Sequence, residues 1–438
     1  MIVRRITGLM LLKEIIFIST LKDHNKELKM TKKNLCFFIR EFPVRSETFV
    51  VQQINGLIEL GHEVTVIAFY EGDSSLWDDE LFKKHTLKSK SIFLLAEKVR
   101  HRNRISRVKH ILQNGLKLAK NIRSIPFLTK TIFTFLKIGG FKALDELLAA
   151  SQNNILTTED SRIIAHFGYV GVTAAYMAKL NILPGSLYTI FHGFEISQYS
   201  MVKKWGKQYL WLSQNSALLL PISDLWANKL EGLGVKKEKI KVQHMGIDLS
   251  KFRYLNKPLS NPIKLVTVAR ATEKKGLTYS IEAVEKCSAE VEYHIIGDGD
   301  LLGNLKSQIQ NYEKRDRIHF HGAKSSEFVA QKLAESDVFV LTSVEDSQGD
   351  MEGIPVSLME AMASGVIVLS TYHSGIPELI INNQTGFLVP ERNSKQIAST
   401  IDEISTSNNL ETVRFSALGK IESDFNQKSL CKELAEII

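Results

Sequence analysis

Residues 263–296 read IKLVTVARATEKKGLTYSIEAVEKCSAEVEYHII. Ile263–Val268 is a short apolar run, the length of a buried strand. A charged turn from Arg270 to Gly276 follows, then a helical pattern over Gly276–Lys286. Val291–Ile296 is a second short apolar run. Strand, helix and strand in this spacing form a βαβ unit, which demands a right-handed crossover and a parallel sheet. The rhythm continues downstream with a helix over Leu301–Gln310, strands at Arg317–Phe320 and Val338–Leu341, a helix over Pro355–Ala363 and a strand at Val366–Ser370.

The same rhythm runs upstream. Leu35–Ile39 is a strand. Ser46, Glu47 and Thr48 offer caps for a helix that reaches Leu60 and stops at Gly61. Strands follow at Val64–Phe69, Ile163–Ala165 and Leu187–Phe191, with a small-residue helix over Gly171–Leu180. Ser223 and Asp224 cap a helix to Leu230, and Ile240–His244 is read as the last strand of this half. Gly246, Pro258, Asn261 and Pro262 break the pattern, so residues 246–262 are the expected linker. The expected fold class is therefore α/β: two Rossmann-like domains, residues 30–245 and 263–415, with parallel sheets facing a deep cleft. Ligands of such sheets bind beyond the carboxyl ends of the strands. Residues 1–29 fit neither domain. Met30 stands just before the first clear strand, so 1–29 is read as an extension that is not native.

Composition narrows the function. The chain has 438 residues, 56 Lys+Arg and 48 Asp+Glu, for a net charge of +8. Residues 83–142 hold 16 Lys+Arg against the single acid Glu97, and the rest of the chain holds 40 against 47. The whole basic excess therefore lies in one 60-residue helical insertion. There Ile105, Val108, Leu112, Leu116, Ala119 and Ile122 share one helix face, leaving Arg104, Arg107, Lys117 and Lys120 for the others. A basic amphipathic segment flanked by aromatics such as Phe127, Phe133 and Phe141 reads as a surface for anionic membrane. The competing reading is a helical pair packed on its own domain with a solvated basic face. No zinc finger or aromatic-interleaved RNA motif occurs, so nucleic acid is not an expected partner. Three separated cysteines form neither a disulfide framework nor a CxxC metal pair.

Four clusters carry candidate chemistry. In EGIPVSLME, Pro355 opens a helix whose free N–H groups at residues 356–358, including Ser357 and Leu358, make an anion site. Glu352 and Glu360 stand near it, and a carboxylate there can accept two hydrogen bonds from a ribose diol. Arg270 and Lys275 follow a strand end, where a guanidinium and an ammonium suit a diphosphate. Gly297 and Gly299 form a turn after the next strand, but residue 302 is Leu, so a GxGxxG dinucleotide fingerprint fails. His192 ends a strand in the first half.

Together these segments resemble a known family. EGIPVSLMEAMASG, with Gly375-Ile376-Pro377-Glu378 and Thr385-Gly386-Phe387, resembles the EX7E region of retaining glycosyltransferase family 4. VARATEKKGL, IIGDGDL, FHGFEIS and HMGIDLSKF resemble further segments of it, in order, from about Asn34 to Val389. EFPVRSETFV and GDMEGIPVSLMEAMASG resemble the bacterial colanic-acid-type exopolysaccharide glycosyltransferases. The resemblance implies a GT-B fold with the C-terminal helix, residues 416–438, crossing back to the first domain. It implies a nucleotide-sugar donor and retention of configuration, with Arg270 and Lys275 neutralising the leaving diphosphate. Glu360 would hold the ribose, Gly297 and Gly299 would flank the nucleotide, and Glu352 and His192 would sit at the donor sugar. No cofactor and no metal is expected, and Asp346–Asp350 reads as a loop rather than a metal triplet. The acceptor would be a lipid-linked saccharide. The enzyme would then be cytoplasmic and peripheral on the inner face of the plasma membrane. Phe42–Glu47 departs from the glycine-rich first loop of many relatives, so acceptor contacts do not carry over. The alternative is a non-catalytic GT-B protein that binds a sugar nucleotide.

Overall fold

The structure, a computed structural model, describes residues 31–438 except 97, 98, 100, 122–124, 154 and 156, and omits the side chains of 120 and 121. The extension 1–29, Met30, Glu97, Ile122 and the Lys120 side chain lie outside the described residues.

The first half builds β1 (Asn34–Phe42), β2 (Glu63–Glu71), β3 (Ser91–Phe93), β4 (Arg162–His166), β5 (Ser186–Phe191) and β6 (Leu218–Pro221). Their order across the sheet is β3-β2-β1-β4-β5-β6, with every pair parallel. The second half builds β7 (Ile263–Val268), β8 (Val291–Ile296), β9 (Ile318–Gly322), β10 (Val338–Leu341), β11 (Ile367–Thr371) and β12 (Phe387–Val389). Its order, β12-β11-β10-β7-β8-β9, repeats the first topology. Each is the doubly wound order, whose switch points lie between β1 and β4 and between β7 and β10. Leu35–Ile39 are buried without alternation because helices cover both faces of the sheet.

Two expected local features differ. The helix α1 (Thr48–Glu59) has no side-chain cap. The chain enters it through the turn Arg45–Glu47, closed by Glu47 N–H donating to Val44 O at 3.1 Å. The segment Ile240–His244 is not a strand of the sheet. Lys241 N–H donates to Leu219 O (3.0 Å) and Gln243 N–H to Pro221 O (2.9 Å). Pro221 has no N–H to return, so the ladder does not extend.

The basic insertion forms a hairpin, α2 (Arg104–Asn121) and α3 (Ile125–Ala150), interrupted at Gly140 (φ 62°). Its apolar stripe faces outward, and a basic residue of the other face is buried. Arg107 is only 8% exposed, and Asn114 and Leu118 are buried beside it. Ile105 is 84% exposed, Leu112 62% and Leu116 68%. Polar anchoring decides the rotation. Buried Asp145 of α3 holds Arg102 (3.0 Å) and His110 (2.6 Å), and Arg107 Nε donates to Arg102 O at 2.8 Å. The apolar stripe is therefore left outside, together with Phe133 of α3 at 74% exposure.

Further helices frame the cleft: α4 (Gly168–Lys179), α5 (Tyr199–Gln214), α6 (Asp224–Gly232), α7 (Leu277–Lys286) and α8 (Val356–Ala363). The chain ends in α9 (Leu410–Asp424) and α10 (Gln427–Ile437), so residue 416 falls inside α9. Phe425 at the break is buried in the second domain, whereas Cys431, Leu434 and Ala435 are buried in the first. The element that packs on α1 is thus α10 alone. A Cβ at Gly56 would lie 2.6 Å from Cys431 Sγ, so α1 has glycine at the contact.

Candidate active site

The loop after β7 carries Arg270 and Lys275, and it is locked to the glycine turn after β8. Ala271 N–H donates to Asp298 O (2.9 Å) and Leu301 N–H to Ala271 O (3.0 Å). A Cβ at Gly297 (φ 141°) would lie 2.0 Å from Ala269 O, and one at Gly299 (φ 154°) 2.6 Å from Ala271 O. These glycines are required by the packing of the two loops, which sets the height of Arg270. Its side chain is exposed and makes no hydrogen bond or ion pair with the described residues. Lys275 turns inward, with its Nζ 2.9 Å from Glu352 Oε1. Lys274 pairs with Asp350 at 3.1 Å.

Glu352 sits in the loop between β10 and α8 and is buried. Burial alone would raise its pKa, but Lys275 and Lys274 outweigh that and hold the carboxyl below its ordinary value. Its backbone is fixed as well. Glu352 N–H donates to His373 Nε2 (3.1 Å), and the Ser374 hydroxyl donates to Glu352 O. His373 is fully buried, and its Nδ1 faces Glu391 Oε1 at 2.6 Å. With Nε2 accepting, the proton belongs on Nδ1, where Glu391 receives it.

Pro355 stands at the N-cap of α8, one place before the expected first turn. Leu358 N–H donates to Pro355 O at 3.1 Å, so it is not among the N–H groups free at the helix end. Val356 and Ser357 supply those. Glu360 lies one turn further, with no side-chain partner among the described residues. Burial pushes its pKa up to about 7, with Lys251 pulling the other way. Asp346–Asp350 is a loop, in which Asp346 Oδ1 accepts the N–H groups of Gln348 and Asp350, each at 2.8 Å.

The facing wall belongs to the first domain. His192 follows β5, and its loop is gathered by the buried carboxylate of Glu195. That group accepts from the N–H groups of His192 (2.9 Å), Gly193 (3.0 Å) and Gly168 (3.3 Å). Burial still lifts the Glu195 pKa to about 7 against these bonds. His192 Nε2 lies 3.0 Å from His166 Nδ1. Burial lowers both pKa values, that of His166 to about 3, so the pair is neutral near pH 7. Here the two walls touch. A Cβ at Gly353 would lie 3.0 Å from His192 O, so glycine is what lets the Glu352 loop reach His192. Glu378 of the second domain accepts from Asp224 N–H (2.9 Å) and Leu225 N–H (3.1 Å) at the start of α6, and His244 Nε2 is 3.2 Å away.

Of the residues singled out in the sequence, Lys275 and Glu352 are in direct contact, and His192 meets the same loop. Arg270, Gly297, Gly299, Ser357 and Glu360 lie past neighbouring strands of the second sheet, on its carboxyl side. Sequence reading missed His166, His373 and Glu391 and gave no task to Glu195 or Glu378. The one signal for His373 was its place two residues before the Gly375–Glu378 segment.

Two doubly wound parallel sheets whose domains meet at this site define a GT-B fold. Solved structures share the arrangement. Anabaena Alr3699/HepE, solved with UDP and with UDP-glucose, superposes with a TM-score of 0.66 at 16% identity, over 92% of this chain and 98% of that one. TarM gives 0.68 at 12% identity, over 94% and 99%. The sequence model described as glycosyl transferases group 1 matches residues 251–416. A Salmonella typhimurium protein named for colanic acid biosynthesis, the glycosyltransferase WcaL, is 37% identical over 417 residues, covering 92% of this chain and 98% of the relative. The amylovoran biosynthesis glycosyltransferase AmsK of Erwinia amylovora is 37% identical over 418 residues, with the same coverage. The chain belongs to the group 1 glycosyltransferases, within the branch that holds these two relatives.

His373 touches Glu352 only through the backbone, so it positions rather than reacts. Replacing it, His373→Ala, frees the Glu352 loop to shift. Misplacement of about 1 Å costs on the order of 10²-fold in rate. We expect turnover to fall by about that factor with the circular dichroism spectrum unchanged. An unaltered turnover number would remove His373 from this role.

Proposed function

We propose that this glycosyltransferase moves a hexose from a nucleotide sugar, UDP-galactose or UDP-glucose, to a lipid-linked saccharide. The transfer retains configuration and serves exopolysaccharide, capsule or O-antigen synthesis. The observation that carries this reading is the Lys275–Glu352 pair, set against His192 across the cleft, with Arg270 on the same loop as Lys275 and unpartnered among the described residues. When the bond from the sugar C1 to the diphosphate breaks, its electron pair goes to a phosphate oxygen. The Arg270 guanidinium, the two remaining N–H donors of Lys275 and the free N–H groups of Val356 and Ser357 stand ready for that charge. The acceptor oxygen forms the new bond at C1, and its proton ends on the departing diphosphate. Glu352, kept ionised by Lys275, accepts from hydroxyls of the donor sugar. No cofactor or metal enters these steps. The names of WcaL and AmsK support the polysaccharide setting.

Arg270→Ala and Glu352→Ala are each expected to reduce sugar transfer by about 10²-fold or more, the size of losing one charge-stabilising donor. Product formation in a radiolabelled donor assay measures this. Transfer at the wild-type rate by either variant would remove that residue from its role.

Glu360 adds a pH signature. A carboxyl raised to about 7 is protonated below that value and ionised above it. A ribose diol donates two hydrogen bonds, so the ionised form is the better acceptor. The KM for the nucleotide sugar should therefore fall as pH rises from about 6 to about 8, and Glu360→Gln should flatten the profile. A sloping profile in the variant would show that another group titrates.

The hairpin is the proposed membrane contact. Ile105, Leu112, Leu116 and Phe133 are exposed among Arg104, Lys109, Lys117, Lys130 and Lys137, with no acid on these exposed positions. Among the described residues no helix is long and apolar enough to cross a membrane. Lysines near an anionic surface contribute about 1 kcal/mol each, and the apolar stripe adds burial at the headgroup boundary. The protein should float with phosphatidylglycerol liposomes at low salt, and Leu112→Ser/Leu116→Ser should weaken this without altering the fold. Absence of flotation at low salt would reject the contact.

A further inference from the structure

We infer that Tyr199 of the first domain is a positioning residue for Glu352, acting across the domain junction. This rests on the role of Glu352 proposed above and deepens it. Tyr199 opens α5 and is 61% exposed, so burial is not what holds it. The second domain holds it instead. Its N–H donates to Gln348 O at 2.9 Å, and its hydroxyl donates to Glu345 Oε1 at 2.7 Å. Between these contacts the ring lies on Gly349, where a Cβ would come within 2.5 Å of it. Gly349 also has φ 75°, a conformation that glycine adopts without strain. Just before α5, Ser197 Oγ accepts from Met351 N–H at 3.4 Å. One end of a first-domain helix thus grips residues 345–351, the stretch that runs directly into Glu352.

Two routes carry that grip to Glu352. The first is the turn itself. Asp346 N–H donates to Asp350 O (3.1 Å) and Gly349 N–H to Asp346 O (3.0 Å), so residues 346–350 are held as one piece. The second is a chain of polar contacts. Glu345 N–H donates to Glu391 Oε2 at 3.2 Å. The Arg392 guanidinium bridges the same pair, donating to Glu345 O and, at 3.2 Å, to Glu391 Oε2. Glu391 Oε1 takes the Nδ1 proton of His373, and His373 Nε2 accepts Glu352 N–H. The Tyr199 hydroxyl therefore begins a hydrogen-bonded chain through Glu345, Glu391 and His373 that ends on the Glu352 backbone.

The reacting geometry gives this chain its purpose. A shift of about 1 Å in a positioned group costs on the order of 10²-fold in rate. Glu352 belongs to one domain and faces His192 of the other, so its loop needs a reference point on the first domain. Tyr199 supplies that point, and it touches only the loop and not the reacting groups.

The test is a double-mutant cycle on sugar transfer by the full chain. Tyr199→Phe removes the hydroxyl and leaves the ring on Gly349. It should lower kcat about tenfold, with the donor KM within about twofold and the circular dichroism spectrum unchanged. In the His373→Ala background the same change should cost nothing further, because the chain is already cut. Glu345→Ala should match Tyr199→Phe, and Glu345→Gln, which keeps an acceptor, should restore most of the turnover. A wild-type kcat in Tyr199→Phe would overturn the proposal, as would the same tenfold loss in both backgrounds. Transfer at the wild-type rate by Glu352→Ala would instead remove the role of Glu352 itself. An inactive Glu352→Ala beside a fully active Tyr199→Phe would leave that role standing, so the two failures are separable.

Discussion

The site exists only where the two domains meet, and backbone proximity sets how closely they can. Gly353 rests against the carbonyl of His192, where any side chain would intrude. Beyond α8 and β11, the Glu378 carboxylate takes two N–H groups at the start of α6 in the opposite domain. That bond satisfies helix-end donors and places negative charge at the positive end of the helix dipole. Two loops of the second domain thus bring Glu352 to His192 and fasten the domain that carries His192. The crossing of α10 back onto α1 acts at the far end of the chain and ties the same two bodies together. With closure fixed at both places, the geometry of the reacting groups no longer depends on the linker.

The charged groups divide by what surrounds them. Glu352 is buried but paired, so it stays ionised, whereas Glu360 and Glu195 are pushed to about 7 by burial. Glu195 already spends its acceptors on three backbone N–H groups, so its task is to shape the His192 loop. Glu360 has none of these bonds and waits for an external donor. His192 and His166, both neutral near pH 7, bring polarity without charge to the wall where the sugar would lie. The second-domain wall carries the fixed positive charge of Arg270 and Lys275.

The fold was legible because it follows from period and punctuation. Short apolar runs between helical patterns require parallel sheets, and both sheets have the same strand order. The charged site residues were legible because they fall just after strands. What was not legible depends on partners distant in sequence. His373 acquires a purpose only when β11 brings it beside Glu352, and Glu378 only when α6 of the other domain faces it. Ile240–His244 has a strand pattern, yet the missing N–H of Pro221 denies it a ladder. In the hairpin, periodicity found the apolar stripe but could not say which side it takes. The side a helix buries is chosen by its strongest partner, and here that partner is the polar anchor at Asp145.

That anchor links the sequence's charge anomaly to the first sheet. A helix that buries Arg107 and Asn114 and exposes Ile105, Leu112 and Leu116 is unfavourable for a protein surrounded only by water. The anchoring acid, Asp145, adjoins Glu146, which holds Arg40 of β1. One turn of α3 therefore fixes the outward stripe and ties the hairpin to the first sheet. Rotating the hairpin to hide the stripe would bring Leu112 and Leu116 against Asp145 and strand its charge, a costlier arrangement than exposed apolar surface. The outward stripe and the inward polar anchor are two sides of the same helical pair, and neither can be rebuilt without the other.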